Sequence, residues 1–293
     1  MARRVTLAAT QYACSWDVPA NLDTAERLVR EAAGRGAQLV LLQELFATPY
    51  FPITLDARHF DLAAPAGDSG VVARFSRLAA ELGVVLPVSF FERAGQSFFN
   101  SVAVVDADGA VLGVYRKSHL PDATGYQEKY YFAPGDTGFR VWDTAAGRIG
   151  VGICWDQWFP ESARAMALLG AELLLYPTAI GTDPPTPQAD SRDAWRLVQR
   201  GHAVANALPL VASNRVGLET APDGGDLAIR FYGSSFIASE TGDLLAEASR
   251  DREEVVTATV DLDAARRHRE YWTFFRDRRP DLYGPLLTFD GGG

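Results

Sequence analysis

A two-sheet α/β fold with helices outside the sheets is the architecture this sequence predicts, and three observations predict it. Short apolar, strand-like runs alternate with stretches of helical spacing. Three hairpin signatures interrupt that alternation, which disfavours a singly wound parallel sheet. No repeat, low-complexity linker or break in composition divides the chain, so residues 1–293 read as one domain. With 47% hydrophobic residues, the chain has enough apolar surface for a large core.

The elements follow in order. Val5 to Gln11 reads as a strand, and Asn21 to Ala33 as a helix closed by Gly34. Leu39 to Leu42 is a short buried strand running to Glu44. Val71 to Leu82 has helical spacing, Gly83 stops it, and Val84 to Phe91 is extended. Ser101 to Val105 and Val111 to Tyr115 flank Asp106 to Gly109, where Asp and Gly tolerate the positive φ of a tight turn. Phe139 to Asp143 and Arg148 to Ile153 form a second hairpin that leads into Cys154. Pro160 to Leu169 suits a helix with proline in its first turn, and Leu173 to Tyr176 is a buried strand.

Three prolines make Gly181 to Ala189 a loop, because each removes a backbone donor and fixes φ. Ser191 to Asn206 then reads as a helix and Leu210 to Asn214 as a strand. Ser234 to Ala238 pairs with Leu244 to Glu247 around SETGD, and Glu254 to Asp261 is the last strand. The tail from about residue 264 to 293 is Arg-rich and aromatic at first and ends in DGGG.

Composition excludes several function classes. A formal net charge of −9 argues against a nucleic-acid partner, since binding a polyanion needs a basic stripe. No window approaches the length of a membrane span, and MARRVTLAATQYACSW is a poor signal peptide. Cys14 and Cys154 are too few for a disulfide framework, and reduced thiols fit a cytoplasmic setting. His59, His119, His202 and His268 are scattered without HExxH or paired spacing, so no metal is expected. Neither GxGxxG after a strand nor GxxxxGK[ST] occurs, so no nucleotide cofactor is expected either.

Three polar residues stand at or just past the ends of apolar strands: Glu44 in LVLLQE, Lys117 in VLGVYRK and Cys154 in IGVGIC. Strand ends present side chains to crevices, so three converging ends make one pocket. The trio is chemically coherent. A free thiol of pKa about 8.5 needs a base or a nearby cation to attack at neutral pH. Glu44 supplies the base, while Lys117 supplies a charge that lowers the thiol's pKa and stabilises an oxyanion. The amide of Trp155 points the same way if the chain turns toward the helix at Pro160. Position alone leaves the bland readings open: an inert core cysteine, a surface carboxylate and a solvated lysine. Cys14, continuing the first strand, reads as structural.

The segments LLQELFATPYF, YRKSHLPDATGYQEKYYFAPGDTGF and GICWDQWFPESARAMALLGAELLLYPTAIG are identified as those of the nitrilase superfamily of carbon-nitrogen hydrolases. Within it, the chain most nearly resembles the N-carbamoylputrescine amidohydrolases. The resemblance covers nearly the whole chain and includes DSRDAWRLVQRGHAVANALPLVASNRVG. It implies a four-layer α-β-β-α sandwich and a Glu44, Lys117, Cys154 triad, with Glu128 as a second glutamate. It also implies a homo-oligomer of two or more subunits, in which the tail packs on a neighbour.

What that resemblance implies about substrate is a carbamoylated amine whose carbonyl Cys154 attacks. Lys117 and the Trp155 N–H would hold the oxyanion, and Glu128 would position the amide and Lys117. The substrate's far ammonium needs an acid and aromatic walls. Asp183 is the expected acid, with Tyr50, Tyr130 and Trp155 as expected walls. The resemblance places glutamate at that loop position, so Asp183 departs from it by one methylene. Rival readings are an N-carbamoyl amino acid hydrolase or an ω-amidase, which need a cation such as Arg192 or Arg215 for a carboxylate. A true nitrilase, a noncatalytic binding or oligomer-building member, and a Cys-His protease using His119 or His202 complete the alternatives.

Overall fold

The structure, a computed structural model, describes residues 2–184, 189–222 and 225–292. The first half runs β1 (Arg4–Gln11), α1 (Val18–Gly34), β2 (Leu39–Leu41), α2 (Gly70–Leu82), β3 (Leu86–Ala94), β4 (Ser97–Val105), β5 (Val111–Arg116), β6 (Asp122–Ala123), β7 (Tyr126–Gln127) and α3 (Glu128–Tyr131). The second half runs β8 (Val141–Thr144), β9 (Gly147–Val151), α4 (Pro160–Leu168), β10 (Leu173–Pro177), α5 (Arg192–Asn206), β11 (Leu210–Ser213), β12 (Val216–Thr220), β13 (Ala228–Tyr232), β14 (Phe236–Ala238), β15 (Leu244–Glu247), β16 (Glu254–Asp261) and α6 (Leu262–Trp272). Of the predicted proline-rich loop, residues 185–188 lie outside the described residues.

Local chemistry sets the helix ends. Asp17 accepts from the Ala20 N–H at 3.0 Å, so α1 begins earlier than its apolar spacing predicts and takes Pro19 into its first turn. Ser69 caps α2, and Gly83 ends it at φ +66°, a conformation that favours glycine.

Two sheets form. One has strand order β15-β14-β11-β10-β9-β8. The other joins β16-β1-β2 to β3-β4-β5 through a parallel bridge between Leu39 and Val85. Period-two alternation then divides each strand between two layers. Leu39 and Leu41 of β2 face Leu173 and Leu175 of β10 in the core between the sheets, together with Leu7, Ile149 and Val211. Val40 and Leu42 turn the other way, onto Leu28 of α1 and Phe75 of α2. Leu174 and Tyr176 likewise turn outward, onto Met166 of α4 and Trp195 of α5. The result is the expected α-β-β-α sandwich. Each fully buried Leu or Val in it contributes about 1.5–3 kcal/mol.

Several elements escape the sequence reading, the short helix α3 among them. The hairpin β12-β13 carries an exposed Leu218 and has no clean alternation. The β6-β7 pair is two residues on each side. Helix α6 buries only Leu262 and Ala265, so its sequence shows no apolar stripe.

Candidate active site

Two of the strands end sooner than the sequence predicts, β2 at Leu41 and β9 at Val151, so Glu44 and Cys154 lie a turn beyond them. Lys117 follows β5 directly, and its N–H donates to Asn100 O at 2.9 Å. Gly135 seats it from behind: its N–H donates to Lys117 O at 2.8 Å, and a Cβ there would overlap the Arg116 carbonyl. Glu44 stands past the end of β2, where the chain turns sharply at Leu45 with φ +48°. Cys154 stands past the end of β9, opening a short 3₁₀ turn over Cys154–Trp158 with φ +42°. A positive φ at a non-glycine residue is strained, so the surroundings must hold it.

Asp156 provides that hold. Its carboxylate accepts from the Ile153 N–H (2.9 Å), the Tyr115 hydroxyl (2.7 Å), and the backbone and Nδ1 of His119 (2.9 and 2.7 Å). The chain just beyond β10, the strand beside β9, supplies two successive carbonyls. Thr178 O accepts from the Glu44 N–H at 3.3 Å, and Ala179 O from Cys154 Sγ at 3.7 Å. Glu44 and Cys154 therefore hang from neighbouring peptide units.

Glu44, Lys117, Glu128 and Cys154 meet, as expected, and all four are buried. Lys117 Nζ lies 2.8 Å from Glu44 Oε1 and 2.8 and 2.7 Å from the two oxygens of Glu128. Glu44 Oε1 also accepts from Asn100 Nδ2 at 2.7 Å. Among the described residues, Glu44 Oε2 has no hydrogen-bond partner. Tyr50 donates its hydroxyl to Glu128 Oε1 at 2.6 Å.

Charge in so dry a place is redistributed. Burial opposes the Lys117 ammonium, but Glu128 and Glu44 outweigh it and hold the lysine charged far above neutrality. Burial, against the pull of Lys117 and reinforced by Glu44, pushes the Glu128 carboxyl up to about 7. Burial and then Glu44 also push the Cys154 thiol well above its ordinary range, with Lys117 only a partial offset. Lys117 does pull the thiol down, as expected, but burial and Glu44 outweigh it. Cys154 therefore rests as a thiol.

Cys154 and Glu128 open onto a cavity of about 480 Å³. Its other walls include Asp122, Tyr126, Trp155, Trp158, Asp183 and Tyr232. Tyr126 locks one side, accepting from the Gly181 N–H at 3.1 Å and donating to Thr182 O at 3.2 Å. Trp155 and Asp183 thus stand where the sequence reading needs them. The Trp155 amide precedes the first N–H that the 3₁₀ turn satisfies, that of Asp156 to Ile153 O, so the turn leaves it for an outside acceptor.

Tyr50 is not a cavity wall: it is buried and acts on the site through Glu128. Tyr130 is half-exposed and packs edge-on and tilted against Tyr131 and Phe60, outside the cavity, because the short helix α3 turns Glu128 inward and Tyr130 outward. Arg215 and Arg192 do not line the cavity either. Arg215 is fully buried against Glu219 and backbone carbonyls, and Arg192 pairs with Glu247. His119 is held by Asp156, and His202 lies under Tyr176, so neither lines the cavity. Cys14 packs at Phe46 O, its thiol pushed by burial up to about 12.

Asn100, Tyr126 and Asp156 carry no sequence signal of their own, since each is defined by what folding brings beside it. Among the described residues there is no cluster of three His, Cys, Asp or Glu able to hold a metal, and no helix long and apolar enough to cross a membrane.

The chain is 55% identical over 290 residues to N-carbamoylputrescine amidase of Arabidopsis thaliana, covering 99% of this chain and 97% of that one. It is 48% identical over 283 residues to citrullinase of Francisella tularensis subsp. tularensis, covering 97% and 98%. Among solved structures, a carbon-nitrogen hydrolase from Helicobacter pylori G27 superposes with a TM-score of 0.92 at 42% identity, covering 98% and 99%. The carbon-nitrogen hydrolase model matches residues 6–270, and on that match and these relatives the chain belongs to the carbon-nitrogen hydrolase family.

Proposed function

We propose that the protein is a thiol-dependent amidohydrolase that converts N-carbamoylputrescine to putrescine, carbon dioxide and ammonia. One observation carries the substrate class. The cavity at Cys154 is lined by aromatic rings and by Asp122 and Asp183, and among the described residues its walls contain no arginine or lysine. Such a pocket suits a substrate with an uncharged ureido head and a cationic far end. It does not supply the cation that a terminal carboxylate needs. The relatives bearing the name N-carbamoylputrescine amidase support the same reading.

In the first half-reaction, Glu44 Oε2 takes the Cys154 proton as sulfur attacks the ureido carbon. Lys117 Nζ and the Trp155 N–H receive the developing oxyanion. Glu44 returns the proton to the departing nitrogen, ammonia leaves, and a carbamoyl thioester remains. In the second half, Glu44 takes a proton from water, hydroxide adds to the thioester carbon, and the thiol is regenerated. The released carbamate loses carbon dioxide to give the free amine. Glu128 fixes Lys117 and the substrate amide throughout. Asp183 binds the far ammonium.

The test is ammonia release from a panel of N-carbamoylputrescine, citrulline, N-carbamoyl-β-alanine and a simple amide. N-carbamoylputrescine is expected to give the highest kcat/KM, and Asp183→Ala is expected to raise its KM. Preference for citrulline or N-carbamoyl-β-alanine would overturn the substrate class.

The two free thiols support a cytoplasmic location, and we take residues 1–293 as one domain. We assign its assembly to the tail, where Tyr271, Leu286 and Leu287 are exposed and apolar. Light scattering is expected to give a homo-oligomer, and a monomer at all concentrations would contradict this.

A further inference from the structure

Against the backbone of the active site, outside the cavity lining, lies a charged pair with no part in the mechanism above. Arg215 is fully buried and Glu219 is nearly so, with Arg215 Nη1 2.8 Å from Glu219 Oε1. A buried ion pair pays a desolvation penalty that apolar side chains of the same volume avoid, so stability does not account for it.

Its other contacts do. Arg215 Nη2 donates to the backbone carbonyls of Glu44 (2.7 Å) and Leu45 (3.2 Å), and Nη1 to that of Thr48 (3.3 Å). These carbonyls belong to the irregular turn that carries the base, and Leu45 within it has φ +48°. The planar guanidinium is the side chain suited to satisfying several inward carbonyls at once. Glu219 grips the far end of the same segment, its Oε2 accepting from the Tyr50 N–H at 2.5 Å. Tyr50 in turn holds Glu128 through its hydroxyl. One arm of the pair therefore reaches Glu44 and the other reaches Glu128, the two carboxylates that hold Lys117 between them.

We propose that Arg215 and Glu219 form a positioning unit, which sets the spacing of Glu44 and Glu128 around Lys117 by fixing the turn from Glu44 to Tyr50. This rests on the amidohydrolase reading, since it assigns the pair no contact with substrate. Removing the unit lets the base drift from the thiol while the cavity keeps its shape. The loss then falls on kcat and on the reactivity of Cys154, and KM stays.

Arg215→Met alone strands a buried carboxylate and risks unfolding, so the chief variant is the double Arg215→Met/Glu219→Gln. Circular dichroism and thermal melting establish that it folds. Its kcat is expected to fall about 100-fold with KM changed by less than about threefold. Alkylation of Cys154 by iodoacetamide, located by mass spectrometry, is expected to slow about tenfold or more, with its rise against pH displaced from that of the wild type. A folded double variant with wild-type kcat and wild-type alkylation would overturn the proposal. If the double variant does not fold, Glu219→Gln decides: it keeps an acceptor for Tyr50 but loses the charge that anchors Arg215. Its kcat and alkylation rate must both fall at unchanged KM, and wild-type values would overturn the proposal. Alkylation separates the two readings, because it reports on Glu44 and Cys154 even if no carbamoylated amine is turned over.

Discussion

Tyr50→Phe removes one hydroxyl and leaves a buried ring in place. That hydroxyl donates to Glu128 Oε1 at 2.6 Å, and burial keeps Tyr50 protonated far above neutrality. It therefore stabilises only the ionised form of Glu128, whose carboxyl burial has already pushed up to about 7. A hydrogen bond to a charged group contributes about 1.5–3 kcal/mol. At about 1.4 kcal/mol per pH unit, its loss moves the acid limb of kcat up by about 1 to 2 pH units. An ionised Glu128 accepts both of its bonds from Lys117, whereas a protonated one must turn a donor toward it. At pH 7 the rate is expected to fall about 5- to 50-fold, and at pH 9.5 to return to within about twofold of wild type. The assay is ammonia release at saturating N-carbamoylputrescine from pH 5.5 to 9.5, for both proteins. Superimposable profiles, or an acid limb displaced downward, would refute the reasoning.

Other expectations follow from the same geometry. Glu128 has an ordinary value of 4.5 in the unfolded chain and about 7 in the folded one, so the folded state binds the extra proton between them. Its contribution to stability is complete below 4.5 and is lost as pH rises through 7, a change of roughly 3 kcal/mol. In urea melts at pH 5 and pH 8, Glu128→Gln should lack that decline, and parallel curves would count against it. Asp156→Asn deprives four donors of their shared carboxylate beside the strained Cys154, and should lower kcat about tenfold or more at constant KM. Unchanged kcat would show that Asp156 does not hold the turn. Tyr130→Leu should leave kcat and KM within about twofold, because the ring lies outside the cavity, and a large rise in KM would return it to the substrate.

Most of the fold was legible because strands buried on both faces read as continuous apolar runs, and LVLL and LLLY are such runs. Helix α6 was not, since only Leu262 and Ala265 are buried along it and no periodicity marks it. Glu44, Lys117 and Cys154 were legible through their places after strands and the motifs around them, and Glu128 through GYQEKYYF. Tyr130 shows the limit of adjacency: it follows Glu128 closely in sequence, yet one short helical turn sends the two side chains to opposite sides. Asn100, Asp156 and Arg215 show another limit. Their partners, Glu44, Tyr115 and the Glu44 carbonyl, are tens of residues away, so only the folded chain reveals what they do.

The central claim is that Cys154 attacks the ureido carbon of a carbamoylated amine. Its most direct test is mass spectrometry of the intact protein, acid-quenched during turnover of N-carbamoylputrescine, beside the Cys154→Ala variant. The wild type is predicted to gain the mass of one aminobutylcarbamoyl group, the substrate less ammonia, mapped to Cys154, while releasing ammonia. The folded variant is predicted to gain no mass and release no ammonia. Ammonia release by Cys154→Ala at the wild-type rate would contradict the account.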